Sequence, residues 1–121
     1  MSPNILIVEE SYDISFLTAK IFKFQKWTSF NADTAEKALV ILYKNDIDII
    51  LMDINLPGES GIECCKQIRQ LNNEKSKVPI IAVTGNELDL TLEQYKKIGF
   101  SDFLQKPVDF DVLLTRMKKL L

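Results

Sequence analysis

The segment IILMDINLPG, Ile49 to Gly58, is an apolar run of strand length that ends on an aspartate and turns at once. Apolar residues at consecutive positions suit a strand buried on both faces, as in the middle of a parallel sheet. Asp53 then stands at the tip of a rigid post, and a carboxylate in that place needs a reason. The turn that follows is simpler, since Pro57 and Gly58 are residue types that a tight turn puts at its centre.

Outward from this run, strand and helix patterns alternate. NILIV (Asn4 to Val8) is a second continuous apolar strand, TSFNA (Thr28 to Ala32) a weaker one, PIIAVT (Pro79 to Thr84) a fourth and DFLQK (Asp102 to Lys106) a short fifth. Between them, Ile14, Leu17, Ile21 and Phe24 recur at helical spacing and predict a helix over Asp13 to Lys26 with that stripe inward. Thr34 reads as the N-cap of a helix through Lys44, with Ala35, Ala38, Leu39 and Leu42 on its inner side. Further helices are expected over Gly61 to Leu71, from about Glu87 to Ile98 with Gly99 as its C-terminal stop, and over Asp109 to Leu121. Such alternation predicts a doubly wound α/β fold, flavodoxin-like, with a five-stranded parallel sheet of order 2-1-3-4-5 and five helices, residues 1–121 forming one domain.

Composition narrows the function. The chain has 121 residues, 46% of them apolar, and a net charge of -2 with both signs interspersed. There is no basic stripe, so neither direct nucleic-acid binding nor an anionic membrane surface is expected. Asp46, Asp48 and Asp53 interrupt the longest apolar stretches, and no charged-then-apolar leader opens the sequence, so a cytoplasmic location is expected. Cys64 and Cys65 are adjacent, a poor arrangement for a disulfide or a metal, and read as reduced thiols. The chain contains no histidine. That excludes Ser-His-Asp and Cys-His catalytic units and most zinc sites, and any phosphohistidine must come from a partner.

Right-handed crossovers in a doubly wound sheet gather the strand-to-helix loops at one edge, where ligands bind. Glu9 and Glu10 end the first strand there, Asp53 the third, Thr84 the fourth and Lys106 the fifth. With strands one and three adjacent, both glutamates should face Asp53 across one crevice. Close carboxylate pairs repel by roughly 1 to 4 kcal/mol near a protein surface. A lysine offsets part of this, and a hard divalent cation offsets more, Mg²⁺ being the usual one where phosphate is handled. The set fits an aspartate nucleophile toward a phosphoryl group, helped by a metal, a hydroxyl and an ammonium.

ILIVEE, LMDINLPGESG, IIAVTG and DFLQKP, in this order and spacing, resemble the receiver domain of two-component response regulators, the CheY-like family. The resemblance covers nearly the whole chain. It implies that Asp53 is the phosphoacceptor and that Mg²⁺ is held by Glu9, Glu10, Asp53 and the main-chain carbonyl of Asn55. It further implies that Thr84 hydrogen-bonds the phosphoryl group, that Lys106 pairs with it, and that Thr84 and Phe103 form a switch. The Lys106–Pro107 peptide is expected to be cis. Partners would be a histidine kinase or histidine phosphotransfer domain as donor, and a downstream protein target.

Two other readings stay open. One is a pseudo-receiver, an interaction module that is not phosphorylated because of its Glu9/Glu10 pair. The other is a metal-dependent phosphatase of the haloacid dehalogenase type, which wants an aspartate two residues after the nucleophile, where this chain has Asn55. Beyond Ile14, Leu17 and Ile21, the first helix carries Tyr12, Phe16, Phe22 and Phe24, more than one buried face can absorb, and part of it is expected to dock the helix that carries the donor histidine.

The family usually has at least one aspartate in the acidic pair. Each glutamate here is longer by a methylene, which moves its carboxylate by up to about 1.5 Å. Mg²⁺ demands near-octahedral oxygen geometry at about 2.0 to 2.1 Å, and Glu10 stands where the more direct ligand is expected. Magnesium titration of Glu10→Asp beside the parent should therefore show tighter binding in the variant; equal affinities would remove the geometric argument.

Overall fold

Residues 2–85 and 90–121 are described by the computed structural model. Strands β1 (Asn4–Val8), β2 (Thr28–Ala32), β3 (Ile49–Asp53), β4 (Ile80–Thr84) and β5 (Asp102–Gln105) pair in parallel in the order β2-β1-β3-β4-β5. Helices α1 (Tyr12–Phe24), α2 (Ala35–Lys44), α3 (Gly61–Arg69), α4 (Leu92–Ile98) and α5 (Phe110–Leu120) connect or follow them, and a 3₁₀ turn over Glu74–Lys77 precedes β4. The expected order and the alternation of elements are those observed. That 3₁₀ turn was not foreseen, and the first residues of the helix expected from Glu87 lie outside the described residues. Among those described, α4 begins after Thr91, whose side chain accepts from the Gln94 N–H while Gln94 reaches back to the Thr91 N–H.

Every residue of β3 and of β4 is buried, as strands covered on both sides require. Alternation sends Leu6, Val8, Ile50, Met52, Ile80 and Ala82 to one apolar layer, closed by Ala38, Leu42, Cys64, Cys65, Ile68 and Tyr95 of the covering helices. Ile5, Ile7, Ile49, Leu51, Ile81, Val83 and Leu104 go to the other, with Phe22, Leu113 and Met117. Burial drives the Cys64 thiol up to about 12 and the Cys65 thiol up to about 11, so both stay protonated packing groups.

Helix α1 corrects the expected inner stripe. Its buried residues are Ser15, Thr18 and Phe22, whereas Ile14 and Leu17 are about half exposed and Phe24 is 83% exposed. Phe22 decides the rotation: fully buried, it packs its ring 5.7 Å from that of Trp27 and anchors the helix to the sheet. The polar residues that follow it inward are small, and the Thr18 hydroxyl is satisfied within the helix by donating to the Ile14 carbonyl at 2.7 Å. The helix also stops before the expected Lys26, which takes a left-handed φ of 64° beyond its end.

Gly61 fixes how close α3 comes to the tip of β3. Its N–H donates to the Ile54 carbonyl at 2.8 Å, and a Cβ placed on it would lie 2.2 Å from the Asp53 carbonyl oxygen and 2.9 Å from the Ile54 Cα. Both obstacles are backbone, so relief requires moving the helix. Gly61→Ala is expected to cost about 1 to 3 kcal/mol, read as a lower urea midpoint at unchanged slope; a midpoint equal to the parent's would show that α3 can retreat freely.

Candidate functional site

Strand alternation determines which expected groups meet. Glu9, Asp53 and Lys106 continue the register of Ile7, Leu51 and Leu104, so all three belong to the α1 and α5 side of the sheet. Glu10 and Thr84 follow the opposite parity, that of Val8 and Ala82. Accordingly, the Lys106 Nζ lies 3.0 Å from the Asp53 Oδ2 and 3.7 Å from the Glu9 Oε1. Asp53 and Glu9 are 4% and 8% exposed, and about a third of the Lys106 side chain reaches solvent.

Local backbone holds the two acids. The Asn55 N–H donates to the Asp53 Oδ1 at 3.0 Å, an Asx turn that leaves Oδ2 for the lysine. Likewise the Ser11 N–H donates to the Glu9 Oε2 at 2.9 Å while the Ser11 hydroxyl caps α1 through the Ile14 N–H. Lys106 is held from behind by its own N–H, which donates to the Thr84 carbonyl at 2.7 Å, and its peptide with Pro107 is cis. Burial pushes the Glu9 carboxyl above its ordinary range and the Asp53 charge adds to this, with the Ser11 N–H and the Lys106 ammonium opposing.

Of the expected site, the structure thus joins Asp53, Glu9 and Lys106 directly. Thr84 is buried at the adjacent strand end, and Asn55 is exposed with its N–H on Asp53. Glu10 is exposed, and among the described residues no group of three acidic side chains is gathered closely enough to hold a metal ion as it stands. The donor chemistry still suits a hard cation: two carboxylates, one of them short of compensating charge, face the same edge. Phe103 is half-buried, its ring stacked 4.7 Å from that of Tyr95. Beside the acids an apolar cleft of about 570 Å³ runs between α1 and α5, walled by Ile14, Leu17, Val108, Phe110 and Leu113.

The sequence reading assigned no role to Gly61 or Ser11. A glycine in the first turn of a helix is itself a signal, because it forgoes helix propensity for a close approach. Nothing in the local pattern marked Ser11.

Comparison with known proteins agrees with this geometry. Residues 5–118 match the model of the response regulator receiver domain family. The chain is 33% identical to sporulation initiation phosphotransferase F of Bacillus subtilis over 121 residues, all of this chain and 95% of that protein. It is 36% identical to the regulatory protein VanR of Enterococcus faecium over 118 residues, 98% of this chain but 49% of that one. With the CAI-1 autoinducer sensor kinase/phosphatase CqsS of Vibrio cholerae it shares 34% identity over 94% of its own length and 17% of that protein's. It therefore spans half or less of the length of two of these relatives. The response regulator receiver domain from Methylobacillus flagellatus superposes with a TM-score of 0.87 at 26% identity, covering 100% of both chains. Family model, full-length relative and fold agree, and the chain belongs to the response regulator receiver domain family.

Proposed function

We propose that this chain, acting as a single domain, accepts a phosphoryl group on Asp53 from a phosphohistidine of a kinase or phosphotransfer partner and thereby changes a protein-binding face. The observation that carries the reading is Asp53 itself, a carboxylate 4% exposed at the end of the central strand with the Lys106 ammonium 3.0 Å away. An Asp53 oxygen attacks phosphorus, the P–N bond to the imidazole breaks, and the imidazole keeps the electron pair and takes up a proton. Lys106, already at the site, balances charge on the transferred group. The burial of Asp53 keeps the nucleophile weakly hydrated and fixed in direction by the Asn55 N–H.

Glu9, Asp53 and the Asn55 carbonyl, with Glu10 at the same edge, would hold Mg²⁺. When bound, the ion would supply Lewis-acid neutralisation of the phosphoryl oxygens. Thr84, buried at the end of β4, is the hydroxyl assigned to the phosphoryl group. The exposed apolar residues of α1 lie to either side of Glu9: Tyr12 and Phe16 on one flank of the helix and Ile14 and Leu17 on the other. Tyr12 and Phe16 stack with centroids 6.0 Å apart, and Ile14 and Leu17 line the cleft that opens on Asp53. This is the surface proposed to receive the donor's helix.

Intact mass after incubation with acetyl phosphate tests the chemistry. The expected result is a gain of one phosphoryl group that requires Mg²⁺ and is absent in Asp53→Asn. No gain in the parent would instead favour the pseudo-receiver, and the same assay on Glu10→Asp would show whether metal geometry is the cause. A second expectation concerns the partner. Phe16→Asp should leave labelling by acetyl phosphate unchanged while slowing transfer from a phosphorylated histidine-containing protein; an equal loss with both donors would place Phe16 outside the docking surface.

A further inference from the structure

Tyr95 of α4 is 1% exposed, and its hydroxyl is buried with no hydrogen-bond partner among the described residues. Buried hydroxyls are almost always paired, so one that is not calls for a reason. Phenylalanine would fill the same space without the polar atom. The Tyr95 ring is also the centre of an aromatic group: Phe103 stacks on it at 4.7 Å and 24°, and Phe100 meets it edge-on at 5.8 Å and 76°. Its backbone is fixed as well, because the Gly99 and Phe100 N–H groups both donate to the Tyr95 carbonyl, at 3.2 and 3.0 Å.

Phe103 connects this group to the acidic site. It lies opposite Ala82 in the β4–β5 register, and alternation places it on the same sheet face as Thr84, two residues further along β4. The stack thus links α4 to the strand end that carries the hydroxyl assigned to the phosphoryl group. Two opposing effects act on it. Ring packing favours the stacked arrangement, while the stranded hydroxyl weighs against it by roughly a factor of ten.

We infer that Tyr95 is a positioning residue for Phe103, and that its unpaired hydroxyl keeps a second arrangement of the α4–β5 face populated, one in which Phe103 leaves the Tyr95 ring and the hydroxyl reaches water. In this arrangement the apolar stack alone does not set the resting state. Tyr95 supplies both the surface that holds Phe103 and the penalty that loosens it, which makes the face responsive to a small bias from Thr84. That last link rests on the receiver function proposed above; the two-state behaviour of the stack does not.

The test is fluorine NMR of 4-fluorophenylalanine at position 103 in the unphosphorylated chain, for the parent, Tyr95→Phe and Tyr95→Leu. In the parent, Phe103 should exchange between two environments. Tyr95→Phe should lower the minor population about tenfold, and Tyr95→Leu, which removes the ring face, should raise it. Hydrogen exchange at residues 101 to 103 should move in the same two directions. A single Phe103 environment in the parent, or equal populations in the parent and Tyr95→Phe despite a higher urea midpoint for the latter, would overturn the inference and leave the hydroxyl a purely structural cost. Because no phosphodonor is present, this outcome is independent of whether Asp53 is phosphorylated; intact mass with acetyl phosphate on the same samples decides that separately.

Discussion

A carboxylate that is nearly dry at the end of a buried strand must have a positive charge close by, and the Asp53 to Lys106 contact at 3.0 Å meets that requirement. Much of the architecture around the site serves it. The lysine arrives from β5, which reaches the acidic edge because its N–H closes on the Thr84 carbonyl. Asp53 keeps one oxygen for the lysine because the Asn55 N–H takes the other. Glu9 shares the lysine at a longer distance and has its carboxyl pushed up by burial, so the site as a whole stays short of positive charge.

The close packing beneath the acids has a separate, steric cause. Helix α3 can approach the β3 tip only because residue 61 has no side chain, and its approach fixes the backbone that carries Asp53 and Ile54. On the same face as α3, and so across the sheet from the acids, Tyr95, Phe100 and Phe103 form a packed group that continues the apolar layer to β5. Chemistry and aromatic packing thus occupy opposite faces of one sheet edge, linked through β4 and β5.

Helix α1 stands apart from this economy. Its inner face is built from Ser15, Thr18 and Phe22, while its larger apolar residues line the cleft beside the acids or face solvent. A helix that buries small polar residues and exposes large apolar ones is poorly explained by the stability of the isolated chain. In the function proposed above, a docked partner helix covers these residues.

Periodicity and strand-end residues were legible without coordinates. Each buried strand announced itself as a continuous apolar run, and the strand order followed from alternation of elements and the handedness of crossovers. The positions of Asp53 and Lys106 at one edge were legible for the same reason, and the receiver family was legible from the resemblance of the four strand-end motifs. What the chain pattern could not give was rotation. Which side of α1 faces inward depended on how Phe22 and Trp27 pack, and which glutamate reaches the lysine depended on strand parity carried through the sheet, so that Glu9 meets Lys106 while Glu10 is exposed. The sequence by itself determined the fold and the edge where the chemistry gathers, because those depend on local hydrophobic pattern. Only the tertiary structure decided which side chains meet there, because contact requires the relative rotation of elements distant in the chain.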